Sequence, residues 1–227
     1  MSDITNWFNS LRGKAPFALP YEPFGLGDTE RCIEIPWAVS CYDGEETVLD
    51  VGYANSEDRY LIELSSLNIP HLYGLDMVKK DVKGLTSVVG DVRKTGFPDN
   101  YFDLIFCIST IEHIGRDNTI YCDGRSRDDE DGDLHAMKEL GRIAKAGGKI
   151  VVTVPYGELH DYGWFINYDE ARWDRLKEAS GCRAIRENFY MYNEGWRKTE
   201  KSLLKEVLYR DNNAPAAAGL VCMLLIK

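Results

Sequence analysis

One stretch near residue 50 constrains the fold of this chain more than any other. Residues 47–51, Thr-Val-Leu-Asp-Val, are mostly apolar, and the sequence continues Gly-Tyr-Ala-Asn-Ser. An apolar run that ends at an acid and a glycine is typical of a buried strand that turns tightly into a helix. Small side chains at such a turn allow a ligand to approach the backbone closely. We therefore predict a ligand site at the carboxyl end of a strand over 47–52.

Two further acids follow apolar runs downstream. Asp76 ends the run 71–76, and Asp91 comes directly after the run 86–90. Because the carboxyl ends of parallel strands meet at one edge of a sheet, both acids are expected near Gly52. A carboxylate there can accept hydrogen bonds from ribose hydroxyls or an amine, which predicts a nucleoside-type pocket. Taken singly, each acid can equally serve only to form a turn.

Four segments in order resemble the class I S-adenosylmethionine-dependent methyltransferases. They are Val-Leu-Asp-Val-Gly at 48–52, Asp76, the stretch 90–105 with Gly-Asp, Phe-Pro-Asp and Tyr-Phe-Asp-Leu-Ile, and 139–148 before an apolar strand. The resemblance covers roughly 45–155, about half of the chain. It implies an α/β fold: a single Rossmann-like, doubly wound, mostly parallel seven-stranded sheet with helices on both faces and an antiparallel edge strand. The chain departs from the family at Ala54 and Ser56, where glycines are usual, so we expect a less open turn.

The resemblance implies S-adenosyl-L-methionine as cofactor and S-adenosyl-L-homocysteine as product. Gly52 and Ala54 would let the backbone approach the methionine part, and Asp50 would reach its ammonium. Asp76 would hold the ribose, while Asp91 would accept from the adenine amino group. The full set of implied cofactor residues is Asp50, Gly52, Tyr53, Ala54, Asp76, Met77, Asp91, Val92, Ile108 and Ser109.

His113 is the candidate catalytic residue. It lies just beyond the fourth predicted strand, and histidine is suited to take a proton from an alcohol near neutral pH. A Glu-His pair at this place is common in the wider family, so the alternative is that His113 only lines the cofactor pocket. The loop after the fifth strand supplies candidate substrate residues, since aromatic side chains offer an apolar face together with hydrogen bonds. These are Tyr156, His160, Tyr162 and Trp164; the alternative is a surface loop that packs its aromatic side chains on the segment 1–44.

The apolar runs predict strands at roughly 47–52, 71–76, 86–89, 102–109 and 148–154. Helices are predicted from about 56 to 67, 133 to 146 and 169 to 180, with a stop at the Gly-Gly pair 147–148 for the second. The connection from 76 to 86 is too short for a full crossover helix. Two last runs, near 182–192 and 218–226, are expected to pair at the sheet edge. We assign 1–44, rich in aromatics and prolines, as a partly helical cover segment, and 45–227 as the methyltransferase domain.

Residues 116–133 form an acidic, lid-like insertion in that domain. A carboxylate cluster of this kind can bind Mg²⁺ or Ca²⁺. However, a helix is predicted to begin at its end, and acids at a helix N-terminus are favoured without any ion. We predict no metal site. Arg116, Arg125 and Arg127 are candidates for holding an anionic substrate.

The net charge and the cysteine content limit the kinds of partner and the compartment that we expect for this protein. The formal net charge of −10 argues against nucleic acid as a partner, and no apolar stretch approaches the roughly 20 residues that cross a bilayer. The cysteines are scattered, with no Cys-x-x-Cys pair, as expected of core residues in a reducing compartment, and we predict a cytoplasmic protein. A small-molecule acceptor is the expected partner, and inward-facing aromatics also allow a homodimer.

The sequence therefore predicts methylation of a small polar acceptor, with the oxygen of a sugar as the first expectation. One alternative is a nicotinamide-dependent oxidoreductase, which should carry Gly-x-Gly-x-x-Gly; the chain has Gly-Tyr-Ala-Asn-Ser-Glu at 52–57. A second alternative is a catalytically inactive binding or scaffold subunit, because Ala54 and Ser56 alter the turn.

Overall fold

The computed structural model describes residues 17–121 and 129–227. Ten strands are described, eight of them in one sheet with the order β3-β2-β1-β4-β5-β10-β8-β9. Strands β1 to β5 run parallel to one another, and β10, β8 and β9 continue the sheet in antiparallel fashion. The sheet strands are β1 (Thr47–Val51), β2 (His71–Asp76), β3 (Thr86–Val89), β4 (Phe102–Ile108), β5 (Ala144–Pro155), β8 (Arg183–Tyr192), β9 (Trp196–Thr199) and β10 (Gly219–Ile226). β6 (His160–Asp161) and β7 (Ile166–Asn167) form a separate short hairpin.

The mixed sheet confirms the predicted fold class, with one more strand than the seven expected. The additional strand is β9, which pairs with β8 and lies at the edge. The predicted pair of closing strands exists, but β10 lies between β5 and β8 rather than at the edge. Seven of its eight residues are buried, so its long apolar run reflects a position inside the sheet.

The described α-helices are α1 (Arg31–Val39), α2 (Asp58–Ser66), α3 (Gly132–Ile143) and α4 (Glu170–Ser180). The prediction of a helix up to residue 146 was wrong. Ala144 has extended backbone angles and pairs with Phe102, so α3 passes directly into β5. Gly147, with φ 76°, lies within this strand rather than after a helix. Helix α4 agrees with the prediction: Asp169 caps its start and Gly181 ends it in the left-handed conformation.

The connection between β2 and β3 contains no helix, as predicted. The side chain of Tyr53 packs beneath this connection. Tyr53 is fully buried, and its hydroxyl donates to the carbonyl of Lys80 and accepts from the Lys80 N–H. Its ring lies against Gly74 of β2, where a β-carbon would stand 2.6 Å from Tyr53 Cδ1. The glycine therefore makes room for the ring, and the ring holds the connection in place.

The described part of the predicted cover segment, from residue 17 onward, includes α1, which packs against β4, β5 and β10. Trp37 is fully buried and donates its indole N–H to Asn188 of β8. Phe24 exchanges backbone hydrogen bonds with Trp196 of β9. These contacts connect the segment before β1 to both halves of the sheet. No helix of the described residues is long and apolar enough to cross a membrane.

Candidate active site

A cavity that opens to solvent, with about 1020 Å³ of space including its mouth, lies at the carboxyl ends of β1, β2, β3 and β4. It brings together most of the residues that the sequence singles out. Of the predicted site residues, those that line it are Gly52, Asp76, Met77, Asp91, Val92, Ile108, Ser109 and His113. The parallel arrangement of the strands explains the convergence, because each of these residues ends or follows a strand, and these strands end at the same edge of the sheet.

Gly52 forms the turn after β1. Its φ of 84° lies in the left-handed region, and a β-carbon there would stand 2.7 Å from Thr110 Cγ2. Thr110 is fixed in turn, because its hydroxyl lies within hydrogen-bond distance of the carbonyls of Val51 and Ile108. Position 52 thus requires glycine for two reasons: its backbone conformation, and the close approach of the segment after β4.

The acids at the ends of β2 and β3 lie at the cavity with their oxygens already engaged. Asp76 accepts from the backbone N–H groups of Ala54 and Val78, at 3.0 and 3.2 Å, and burial raises its pKa. Asp91 accepts from Nη2 of Arg93 at 2.7 Å, and Arg93 also binds Asp129 at 3.0 Å. Asp76 therefore stabilises the turn after β1 while it faces the cavity, and Arg93 holds Asp91 in one orientation.

Three predicted cofactor residues do not line the cavity. Tyr53 packs on Gly74, as described above, and Ala54 takes part through its backbone N–H to Asp76. Asp50 is 2 % exposed, and its Oδ2 has no hydrogen-bond partner. Burial raises the pKa of Asp50 to about 8, so this carboxyl holds its proton at neutral pH.

A buried carboxylate connects α1 to the strand ends beside the cavity. Glu34 is fully buried and accepts from the hydroxyls of Ser109 and Thr153, at 2.9 and 2.8 Å. Its other oxygen accepts from Nη1 of Arg31 at 2.5 Å. Glu112, 2 % exposed, lies close enough to raise the pKa of Arg31 further, and burial raises the pKa of Glu112 itself to about 8. Ser109, with φ 41°, is held at this junction.

His113 lines the cavity, and a hydrogen bond fixes the tautomer of its ring. Its Nδ1 lies 2.8 Å from the carbonyl oxygen of Trp164, and a carbonyl only accepts, so Nδ1 carries the hydrogen and Nε2 is left as the acceptor. Burial lowers the pKa of His113 to about 4, which keeps the ring neutral at physiological pH. Tyr121 and Trp164 lie beside the ring, each with its centroid 5.3 Å away.

The structure does not bring the four predicted substrate residues together at one site. Tyr156 is 2 % exposed and packs against Trp173 and Phe189 away from the cavity. His160 is exposed and lies on the ring of Tyr162, which is itself stacked on Phe165. Trp164 alone is brought next to a cavity residue, through its contacts with His113.

Several cavity residues were not selected from the sequence. Arg93 comes two residues after Asp91, and Asn118 and Tyr121 come soon after His113. A short spacing from a predicted strand end is the signal that would have found them. The aromatic Tyr209, which contacts Trp164 and Phe165, lies about 45 residues further along the chain, and nothing local marks it.

Part of the predicted lid lies outside the described residues, which include 116–121 and 129–133 of it. Here Arg116 lines the cavity and its guanidinium binds Asp161 at 2.9 Å. Arg172 binds Asp131 and Asp133. Arg125 and Arg127 are not among the described residues. Over 17–121 and 129–227, no group of three His, Cys, Asp or Glu side chains is arranged to hold a metal ion.

Comparison with known protein families shows what kind of domain contains this cavity. Residues 49–152 match the family described as a methyltransferase domain. The chain carries a class I S-adenosylmethionine-dependent methyltransferase domain. The matched range contains all eight predicted residues that line the cavity, and the cofactor of this methyltransferase is S-adenosylmethionine. A search of curated proteins found no match.

Solved structures share the fold of this methyltransferase at low sequence identity. The cyclase SpnF is 13 % identical with a TM-score of 0.58, over 100 % of this chain and 93 % of its own. A SAM-dependent methyltransferase from Aquifex aeolicus is 18 % identical with a TM-score of 0.52, over 89 % and 95 %. The 1,6-didemethyltoxoflavin-N1-methyltransferase of Burkholderia thailandensis, which holds S-adenosylhomocysteine, is 11 % identical with a TM-score of 0.52, over 81 % and 72 %.

Proposed function

We propose that this methyltransferase transfers the methyl group of S-adenosylmethionine to an oxygen of a small polar acceptor, with sugars as the first class. One observation carries the proposal. The acids at the ends of β2 and β3 and a neutral histidine after β4 line the same cavity, which supports a nucleoside site beside a proton acceptor.

The residues present fit the cofactor. Gly52 leaves room at the turn after β1, Asp76 can accept from ribose hydroxyls, and Asp91 can accept from the adenine amino group, with Met77 and Val92 beside the ring. Asp50, predicted to reach the ammonium group, is buried below the turn and does not line the cavity, so it gives the cofactor no support here. When bound, the cofactor supplies an electrophilic methyl group.

His113 has the chemistry to receive the acceptor's proton. With a pKa of about 4, its Nε2 is unprotonated at neutral pH but too weakly basic to ionise an alcohol in advance. A hydroxyl that is gaining a methyl group becomes strongly acidic, so a weak base suffices once the new bond has begun to form. We infer that His113 accepts the proton late, and that the carbonyl of Trp164 keeps its ring in the required tautomer.

Aromatic side chains near His113 support an acceptor with a flat or apolar face. Tyr121 lines the cavity, and Trp164 and Tyr209 form an adjoining cluster, with 6.4 Å between their ring centroids. Such rings bind sugars through their faces while hydroxyls and ring nitrogens provide hydrogen bonds. The net charge of −10 disfavours nucleic acid as the acceptor. The described cysteines are free thiols, which supports the proposed cytoplasmic location.

The test is in two stages. Calorimetric titration with S-adenosylhomocysteine should give micromolar binding, and the loaded protein is then assayed against sugars, phenols and amines by mass change of the acceptor. A gain of one methyl group on a sugar hydroxyl is the expected result. Methylation of amines alone would contradict the oxygen acceptor, and cofactor binding with no product from any class would favour the inactive binding subunit.

A further inference from the structure

We propose that Trp164 and Tyr209 form an acceptor subsite that binds hydroxyl groups other than the one to be methylated. Such a subsite selects a ring with several hydroxyls over a ring with one. The inference rests on the proposed function and deepens it, because it names the residues that choose the acceptor. Both residues lie outside the range 49–152 that matches the methyltransferase domain.

The subsite adjoins the cavity beside His113. The ring centroids of Trp164 and Tyr121 each lie 5.3 Å from that of His113, and Tyr121 lines the cavity. Tyr209 lies against Trp164, with 6.4 Å between the ring centroids and 89° between the planes. Burial raises the pKa of Tyr121, and Tyr209 lies close enough to raise it further. The three aromatic rings therefore form one group with His113 next to the cavity.

The indole N–H of Trp164 differs from those of the other described tryptophans. Trp37, Trp173 and Trp196 each donate the indole N–H to a side chain or a carbonyl of the protein. Trp164 is half-buried, and over residues 17–121 and 129–227 its indole N–H has no hydrogen-bond partner. The fold thus satisfies three of these four donors and leaves the one beside His113 for a ligand.

The two tyrosine hydroxyls of the group are in the same state. Tyr121 and Tyr209 are both half-buried, and neither hydroxyl bonds to any part of the chain that the structure describes. Three donors, two of which also accept, are therefore collected beside the ring proposed to take the acceptor's proton. A ligand that displaces water from them must supply new partners or leave the groups unpaired.

Tyr209 is held in register with Trp164 by the connection between β9 and β10. The backbone N–H of Tyr209 donates to the hydroxyl of Tyr162 at 3.2 Å, within the hairpin that carries Trp164. Two residues earlier, the carbonyl of Val207 accepts from Nδ2 of Asn167 in β7, also at 3.2 Å. The two rings therefore come from separate segments that are bonded to each other, which keeps their polar groups positioned for one ligand.

This arrangement discriminates by the number of hydroxyls on the acceptor. A ring with a single hydroxyl uses that group in methyl transfer and leaves the indole N–H of Trp164 and the hydroxyl of Tyr209 unpaired, which is costly. A site built to bond a hydroxyl rejects analogues that lack it. A sugar ring presents several hydroxyls together with an apolar face for aromatic side chains. The subsite thus favours sugars over simple phenols.

Binding to the protein loaded with S-adenosylhomocysteine tests the inference without methyl transfer. The probes are phenol and the phenyl glycosides of glucose, galactose and mannose, titrated by calorimetry. At least one glycoside should bind tenfold or more tightly than phenol. In Tyr209→Phe its affinity should fall by about three- to tenfold, as for the loss of one uncharged hydrogen bond, whereas the affinities for phenol and S-adenosylhomocysteine should stay within about twofold.

Deoxy analogues and a matched control make the assignment specific. Among the 2-, 3- and 4-deoxy forms of the bound glycoside, one should be insensitive to Tyr209→Phe, because it lacks the hydroxyl that Tyr209 binds. Tyr21→Phe removes the same atom from a tyrosine that is 65 % exposed on the segment before β1, and it should change no affinity. Trp164→Phe should weaken the glycoside as Tyr209→Phe does.

Three results would overturn the inference: no glycoside binds, phenol binds as tightly as every glycoside, or Tyr209→Phe leaves glycoside affinity unchanged. Equal losses for the glycoside and S-adenosylhomocysteine would also overturn it, since Tyr209 would then act through the fold. Tyr209→Phe removes a single oxygen atom, so it keeps the test decisive if Trp164→Phe disturbs His113. The proposed methyl transfer can fail while this test succeeds, because binding alone is measured.

Discussion

Nδ1 of His113 lies 2.8 Å from the carbonyl oxygen of Trp164, and this single contact determines which ring nitrogen is available for chemistry. The contact comes from the β6–β7 hairpin, which also accepts a hydrogen bond from the Asp117 N–H at the carbonyl of Gly163. The hairpin therefore orients the segment after β4. We expect His113→Ala to reduce kcat by roughly 10²- to 10⁴-fold, the usual contribution of a positioned acid or base.

The companion measurement for His113→Ala is the affinity for S-adenosylhomocysteine, by calorimetry. It should stay within about twofold of the unsubstituted protein if the ring acts on the acceptor. A matched loss of affinity and of kcat/KM would instead assign His113 to the wall of the cofactor site.

The lowered pKa of His113 makes a separate prediction for pH. The ring loses its proton above about pH 4, so the base form is already complete at pH 6. The rate of methyl transfer with saturating ligands should then be flat from about pH 6 to 8 and fall only in more acidic solution. An inflection near 6.5, the value of an unperturbed histidine, would show that the ring is solvated in the active state.

Asp76 should contribute both to the turn and to the cofactor. We expect Asp76→Ala to weaken S-adenosylmethionine binding by roughly 1–3 kcal/mol, because polar groups of the ligand and the Ala54 N–H lose their acceptor. Asp76→Asn keeps one acceptor oxygen and should lose less. An unchanged dissociation constant in the alanine variant would remove Asp76 from the cofactor site.

Gly52 can be compared with a glycine of similar backbone angle but open surroundings. Gly44 has φ 92°, and a β-carbon added there would meet no atom within 4 Å, whereas one added at Gly52 would meet Thr110. Gly44→Ala should cost about 1–2 kcal/mol in free energy of unfolding, and Gly52→Ala about 2–5 kcal/mol. Chemical denaturation measures both. The pair Gly52→Ala with Thr110→Ala should recover part of the difference, and strict additivity would disprove the contact.

Two buried carboxyls predict how stability depends on pH. Burial raises the pKa of Asp50 and of Glu112 to about 8 each, so the folded protein keeps protons that the unfolded chain releases above about pH 4. Their contribution to the free energy of unfolding is fully present below about pH 4, and it is lost as the pH rises toward 8. Asp50→Asn or Glu112→Gln should flatten this decline in urea denaturation between pH 5 and 8. Asp81→Asn, at an exposed side chain, should leave the slope unchanged.

The parts of the site that sequence could predict are those set by local structure. Asp76 and Asp91 follow strands that are apolar runs, and parallel strands bring such ends together whatever the rest of the chain does. Arg31 and Glu34 could not be placed in this way, since Glu34 meets Ser109 and Thr153, which lie 75 and 119 positions away. That contact depends on how α1 packs over the finished sheet.

The loop after β5 shows a second limit. Tyr156 follows the strand directly, but it is buried against Trp173 and Phe189, whereas Trp164 reaches His113 by way of the hairpin. The sequence shows that this loop is rich in aromatic residues, but it does not show which of the rings face the cavity. Side-chain direction after a strand depends on the exact residue at which the strand ends, and β5 ends one residue later than predicted.

Because Tyr53 and Gly74 are in contact, a substitution at one of these positions requires a matching substitution at the other. A side chain on residue 74 has no space while an aromatic ring occupies position 53, and a small residue at 53 would leave an empty volume beneath the β2–β3 connection. A longer connection that brought its own helix would need that volume and would release both positions together. Exchange of this region between methyltransferases should therefore succeed only when the turn after β1 is transferred along with it.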